Sequence, residues 1–283
     1  MQFTIGGDPE MMLVNSKGHI ISSLDVFPEH NKNNKIDFGG GYSTYPDNVL
    51  MEGTLPPANG QEEMLAHYRS LFKFAHSALQ GNHLRAQASH MFTPDQLTHE
   101  GALTVGCNPE FCAWQIEQHS PTLVDGLRTS GAHIHLGANM LLEPENVLNC
   151  IKLMDIFVGI PISILDCDPT GQARKALYGK MGRFRPCPYG AEYRTLSNFW
   201  LHSPNTAKLV YDLTSHVVDI IEAGDAEKYL AYTNEEELRE ALDRGNKKLA
   251  EAVMLRILPN HLLTKINSVE LQWGASLNHN WGI

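Results

Sequence analysis

The sequence predicts an α+β domain: a sheet with apolar residues toward helices on one side and a polar face on the other. Three observations lead there. Strand-like segments alternate with amphipathic helical ones up to about residue 200. Charged and imidazole side chains recur two residues apart within the strand-like segments, so they share a face. From about residue 204 the pattern turns mainly helical. The 283 residues are enough for a substantial core, the 42% hydrophobic content is globular, and no linker or low-complexity tract interrupts the chain. It therefore reads as one domain over 1–283.

In order, Phe3 to Val14 reads as extended, Asn15-Ser16-Lys17-Gly18 as a turn and His19 to Ser22 as the returning strand, which makes a hairpin. The apolar run Val49-Leu50-Met51 ends at Glu52. A helix follows over Gln61 to Leu79, where Leu65, Tyr68, Leu71, Phe72, Ala75 and Leu79 fall at helical spacing. Pro109 to Ile116 and Gly131 to Gly137 are the next extended segments. A helix then begins near Pro144 and is expected to kink at Pro161. Tyr189 to Leu196 reads as a strand. Ser203-Pro204 is an N-cap and first-turn signature, Thr233 and Glu236 have capping-box spacing, and Val269 to Trp273 is expected to add a last strand. Trp200, Trp273 and Trp281 are assigned to packing.

Period-two spacing puts Asp8 with Glu10, His133 with His135, and Glu192 with Arg194 on common faces. Gly6-Gly7-Asp8-Pro9-Glu10 is echoed by Gly106-Cys107-Asn108-Pro109-Glu110, and each turn delivers a glutamate to an extended run. Carboxylates, imidazoles and an arginine on one sheet face are the ingredients of a metal-centred site. Between Arg174 and Arg194 lie six basic residues, Arg174, Lys175, Lys180, Arg183, Arg185 and Arg194, against the single acid Glu192. Glycine and proline interrupt this stretch, so it is expected to be a loop with fixed turns, suited to a polyanionic ligand such as metal-bridged nucleotide phosphate.

The remaining charge argues against other functions. With 22 basic and 32 acidic residues the chain carries a formal charge of -10, which disfavours general nucleic-acid binding. Five scattered cysteines form no CxxC pair and are read as reduced thiols of a cytoplasmic protein. The opening residues lack a secretory pattern, and the apolar stretch Ile156 to Leu165 is short for a membrane span, so no membrane partner is expected.

SGAHIHLG resembles the G-x-H-x-H segment of glutamine synthetase and its relatives, and the Glu-x-Arg of AEYR resembles their arginine-bearing active-site strand. YGKMGRFRPCPYGAEYRTLSNFW, with GGDPEMM near the start and GCNPEFCAW in the middle, closely resembles the phage-encoded carboxylate-amine ligases, or amidoligases, of glutamine-synthetase-like fold. The resemblance spans residue 6 to about 200. It implies a curved antiparallel sheet with helices on its outer face, divalent metals and ATP on the concave face, and amide formation through an acyl phosphate.

By the same resemblance, Asp8, Glu10, Glu52, Glu110, His133 and Glu192 would surround two Mg2+ or Mn2+ positions. His135 would lie near the nucleotide. Arg194 would contact the transferred phosphate, and Arg183 and Arg185 would clamp polyphosphate or acceptor carboxylate, with Lys180 and Asn198 as further ATP- or substrate-binding residues. Glu192, Arg194 and Arg185 would be the catalytic groups. Small-molecule or peptide acids and amines are the implied substrates, and an oligomer is compatible with the family. Asp8 departs from the usual glutamate at its place. Two other functions fit parts of the pattern: a single-metal hydrolase or oxygenase using the two histidines, and a noncatalytic nucleotide- or peptide-binding homologue.

Overall fold

A computed structural model describes residues 3–103, 110–115, 117–119 and 124–283. All of the Gly106 to Glu110 echo except Glu110, and Pro109 and Ile116 of the Pro109 to Ile116 segment, lie outside the described residues. The strands are β1 (Thr4–Val14), β2 (Ile20–Ile21), β3 (Ile36–Gly39), β4 (Tyr42–Asp47), β5 (Leu50–Thr54), β6 (His83–Arg85), β7 (Ser89–Met91), β8 (Glu110–Cys112), β9 (Glu117–His119), β10 (Leu127–Thr129), β11 (Ala132–Gly137), β12 (Arg183–Cys187) and β13 (Gly190–Tyr193). The main sheet runs β3-β4-β5-β1-β11-β13-β12-β8-β9, with β2 and β6 joined to the end of β1 and β7 paired separately with β10. The registered pairs are antiparallel, as in an α+β fold.

The long β1 organises this sheet. Its first half pairs with β11, Glu10 and Met11 pair with β5, and its last residues pair with β2 and β6. The expected hairpin is present, closed by the Gly18 amide donating to the Asn15 carbonyl at 2.9 Å.

The helices are α1 (Gln61–Ala78), α2 (Glu100–Leu103), α3 (Pro144–Met154), α4 (Ile160–Leu165), α5 (Gly171–Leu177), α6 (Pro204–Glu222), α7 (Ala226–Leu230), α8 (Glu235–Leu242), α9 (Lys247–Ile257), α10 (Asn260–Asn267) and α11 (Leu277–Trp281). α1 buries Met64, Tyr68, Leu71 and Phe72 in one core with Ile134 and Leu136 of β11, Tyr193 of β13 and the inner face of α6, and Ala75 of the same helix is buried too. Gly7 permits the close approach of helix and sheet, since a β-carbon there would lie 2.4 Å from the Tyr68 hydroxyl and 2.6 Å from the His133 carbonyl. Trp200 and Trp281 are buried in this core, and Trp273 packs partly buried against it.

Four local expectations require correction. The helix from Pro144 does not simply kink at Pro161. A π-helical turn over Asp155–Gly159 joins α3 to α4 and absorbs the proline's missing donor. The helical run Pro144–Leu165 is thereby long and apolar enough to cross a membrane by composition, although 72% of its most apolar window is buried inside the protein. The cap of α8 is Asn234, whose side chain accepts from the Glu236 and Glu237 amides, while Thr233 turns back to the Tyr229 carbonyl. Val269 to Trp273 is irregular, because side chains of His202 and Asn280 meet the Gln272 carbonyl where a strand neighbour would be needed.

The fourth correction concerns the basic stretch, which is ordered secondary structure: α5, then the β12-β13 hairpin. Gly179 and Gly182 do mark turns, with φ of 68° and 72°, but strands run between the punctuating residues. Pro186 is tolerated because it lies beyond the part of β12 that pairs with β8.

Candidate functional site

Residues directly opposite in an antiparallel pair share a face, and the register assembles one polar face across six strands, β5, β1, β11, β13, β12 and β8. Glu10 stands opposite Glu52 and Asp8 opposite His133. His135 stands opposite Glu192, and Glu192 opposite Arg185. Arg183 is opposite Cys112, two residues from Glu110. The intervening residues Ile134, Ala191, Tyr193 and Phe184 turn to the helical core.

On this face two groups of ligand atoms converge, each within 4.8 Å: Asp8, His133 and Glu192, and Glu10, Asp47 and Glu52. His133 Nδ1 lies 2.9 Å from Asp8 Oδ1 and 3.2 Å from Glu192 Oε1. Among the described residues Asp8 Oδ1 meets only the two imidazoles, His133 at 2.9 Å and His135 at 3.5 Å, and His133 Nε2 is buried without a hydrogen-bond partner. Oxygen-rich triads with at most one imidazole fit Mg2+ or Mn2+, and buried acceptors left unmatched fit a cation as their partner.

The electrostatics agree with that chemistry. Burial pushes the Glu10 carboxyl up to about 8, helped by the charges of Asp47 and Asp8. Glu52 is raised by its burial and by Asp8 and Glu10, and Glu192 reaches about 7 through burial and Asp8. Burial works against the Asp8 charge, but His133 and His135 outweigh it and hold that carboxyl below the usual carboxylate range. Burial and the Arg194 charge bring His133 down to about 4, leaving it neutral and able to ligate a metal.

Beside the first group the arginines take over. Arg194 Nε lies 3.2 Å from Glu110, its Nη1 bonds Glu192, and its guanidinium is 5.2 Å from the ring centre of Tyr178. Arg185 Nη1 is 3.1 Å from Glu192, and Arg183 Nε is 3.5 Å from Glu110. Residues 124–271, just over half of the chain, match the family model of the phage phiEco32-like COOH.NH2 ligase-type 2. The chain belongs to that family. None of the curated proteins matches it.

The part matched to the COOH.NH2 ligase-type 2 family carries His133, His135, Lys180, Arg183, Arg185, Glu192, Arg194 and Asn198, and it runs further into the helical region than the motifs do. Asp8, Glu10, Glu52 and Glu110 precede it and reach the face through β1, β5 and β8. The structure brings most of the expected residues together, but not all in the expected places. Glu110, expected among the metal ligands, belongs to neither triad and is ion-paired with Arg183 and Arg194. His135 accompanies Asp8 at 3.5 Å, and its Nδ1 is 2.7 Å from the Tyr189 hydroxyl. Lys180 is exposed at the turn before β12. Asn198 lies fully buried below the face, where its amide donates to the Glu10 carbonyl at 2.7 Å and the Ser130 hydroxyl at 3.0 Å. Its place is that of a support for β1.

Sequence reasoning missed Asp47, Tyr45 and Tyr178 as site residues. Asp47 sits at the end of β4, where Tyr-Pro-Asp-Asn carries the composition of a turn. Tyr45 of the same strand donates its hydroxyl to Glu52. Tyr178 ends α5 and stands near His133, Arg174 and Arg194, which only the folded hairpin brings together.

Proposed function

We propose that this ligase-family protein joins a carboxylate to an amine at the cost of ATP, on a glutamine-synthetase-like site with two divalent ions. The observation that carries the reading is the pair of acidic triads beside an arginine cluster on a single sheet face. A carboxylate is a poor electrophile because its leaving group would be oxide. An acceptor carboxylate oxygen would attack the γ-phosphorus, ADP would depart, and the resulting acyl phosphate would lose phosphate when the amine attacks its carbonyl carbon.

Bound Mg2+ or Mn2+ supplies charge neutralisation on the polyphosphate and the acceptor. Asp8, His133 and Glu192 would hold one ion, and Glu10, Asp47 and Glu52 the other. Arg194, fixed on its edges by Glu110 and Glu192, is pre-oriented to receive charge developing on the transferred phosphoryl group. Arg185 and Arg183 extend that cationic edge toward the acceptor. The reading places the enzyme in the cytoplasm with ATP, acting on small-molecule or peptide acids and amines, without a membrane or nucleic-acid partner.

Incubation with ATP, Mg2+ and panels of acids and amines should release ADP and phosphate and yield an amide. Glu192→Ala should lower turnover by about 100- to 1,000-fold, the range for loss of one electrostatic catalytic group. Full turnover by that variant removes Glu192 from the reaction. Nucleotide binding without turnover across the panels would instead leave a noncatalytic homologue, and tightly held iron or zinc without nucleotide affinity a single-metal enzyme.

A further inference from the structure

Behind the tail of β13 lies a cavity of about 330 Å³, walled by the end of α4, the 166–169 turn, the start of α5, Thr195 to Ser197 and the turn between α8 and α9. Its volume is at the lower end of ligand pockets, which run from about 300 to 1,000 Å³, and suits a small metabolite. Arg174, Lys175 and Lys247 line it together with Asp166 and Asp168.

The cations in this wall feel carboxylates only at a distance, Arg174 those of Glu10, Glu110 and Asp166, and Lys175 those of Asp243, Asp155 and Asp166. Arg174 is 1% exposed, yet its Nη1 and Nη2 donate only to the Thr195 and Arg194 carbonyls, at 3.1 and 3.4 Å, and its Nε has no partner. Lys175 donates only to the carbonyls of Thr195 and Gly179, and Lys247 to those of Ile164 and Asp166. Among the described residues none of the three forms an ion pair. Arg174 is buried and Lys175 half-buried, whereas Lys247 is exposed at the rim; for the first two, charge taken from water is normally matched by opposite charge, and carbonyl dipoles match it only in part. An anion entering the cavity would complete the set.

The acids decide which anion. Asp168 already accepts three bonds, from the Ala88 and Thr170 amides and the Thr170 hydroxyl. Asp166 accepts from Ser197 and from the Asp168 amide, one bond to each oxygen, and so retains capacity for a cationic donor. Burial raises its carboxyl to about 6, a cost that an adjacent ammonium would relieve. Inorganic phosphate would satisfy the cations but face Asp166 as a like charge.

We infer that this cavity binds a free α-amino acid, its carboxylate against Lys175 with the buried Arg174 charge behind it, and its ammonium against Asp166. The site is distinct from the acidic triads but adjoins them. A β-carbon on Gly131 would be 2.8 Å from Arg174 Nη2 and 3.3 Å from His133 Nε2, so one guanidinium reaches both compartments. Because Arg174 holds the Arg194 and Thr195 carbonyls, an occupant bears on the strand that presents Arg194.

Isothermal titration of the full-length protein with each of the twenty amino acids, without ATP or metal, tests this. At least one should bind 1:1 with Kd at or below about 1 mM. Acetylating its amine, or amidating its carboxylate, should each weaken binding about tenfold or more, the scale for losing a charge-assisted contact. Lys175→Met and Lys247→Met should weaken it similarly, two variants guarding against misfolding of either, while Glu192→Gln stays within about twofold. The inference is overturned if no amino acid binds at about 10 mM, if inorganic phosphate binds more tightly than every amino acid, or if Glu192→Gln abolishes binding. None of these results depends on ligase turnover, so failure of the catalytic reading would appear separately, as absent ADP release.

Discussion

Asp155 offers a quantitative test of how the polar face is supported from behind. This fully buried carboxylate sits at the start of the π-helical turn and accepts from Trp114 Nε1 at 2.7 Å, the Tyr193 hydroxyl at 2.8 Å and Thr195 Oγ1 at 3.3 Å. Tyr193 separates Glu192 from Arg194, and Trp114 follows the strand of Glu110, so one carboxylate ties together both segments that hold the arginine cluster. Asp155→Asn keeps the size but turns an NH2 toward these donors, leaving at least one unmatched at a cost of about 1–3 kcal/mol. Burial pushes the Asp155 carboxyl from 3.8 up to about 7. The folded chain therefore keeps this proton where the unfolded chain has lost it. The associated stability is fully present below the unfolded value and is lost as pH rises through 7. Between pH 5.5 and 8 that loss amounts to about 2 kcal/mol for the parent protein and is absent from the asparagine variant. Urea unfolding of both proteins at the two pH values should show the parent's advantage shrinking by about that amount. An advantage that is constant or larger at pH 8 would refute an Asp155 carboxyl held neutral by burial.

Two further outcomes follow from the geometry. Titration with Mn2+ should give two bound ions, with Asp47→Asn and Asp8→Asn each removing one; unchanged stoichiometry in Asp47→Asn would dissolve the second triad. Gly7→Ala should destabilise the fold by about 1–3 kcal/mol in thermal or urea unfolding, the range for overpacking, because the new methyl meets the His133 backbone as well as Tyr68. Tyr68→Phe removes only the hydroxyl clash and should restore part of that loss, whereas a neutral Gly7→Ala would show that α1 does not press on β1 as described.

How much of this was legible in the sequence depended on the range of the interactions. Asp8 with Glu10, and His133 with His135, could be paired because a strand's period of two is a local property. The cross-strand partners could not, since Glu10 opposite Glu52 and His135 opposite Glu192 are set by register between distant segments. The basic stretch misled for a related reason. Its glycines and prolines mark turns correctly, but the four- and five-residue strands between them are stabilised by pairing with one another and, for β12, with β8. Asp47 is hidden by its turn composition, and a lone glutamate entering a strand, as Glu110 does, gives no sign of the two arginines that meet it.

Those arginines divide the acidic face into two halves with different needs. Glu110 and Glu192 are compensated from within the chain by Arg183, Arg185 and Arg194. Glu10, Asp47 and Glu52 have only distant help, from Arg194 on Glu10 and Lys32 on Asp47: among the described residues no lysine or arginine forms an ion pair with any of them, and Glu10 and Glu52 are met chiefly by the Gly131 amide and the Tyr45 hydroxyl. Three carboxyls held within 4.8 Å repel one another when ionised, which is why burial and mutual charge raise Glu10 and Glu52. Protons can relieve that repulsion in the free protein, but a divalent ion relieves it more completely by neutralising two charges at once. The net charge of -10 is therefore unevenly demanding. In the half that no arginine pairs, added positive charge would relieve the most repulsion, and Asp47, whose turn composition hides it in the sequence, is where the proposed second ion is most directly tested.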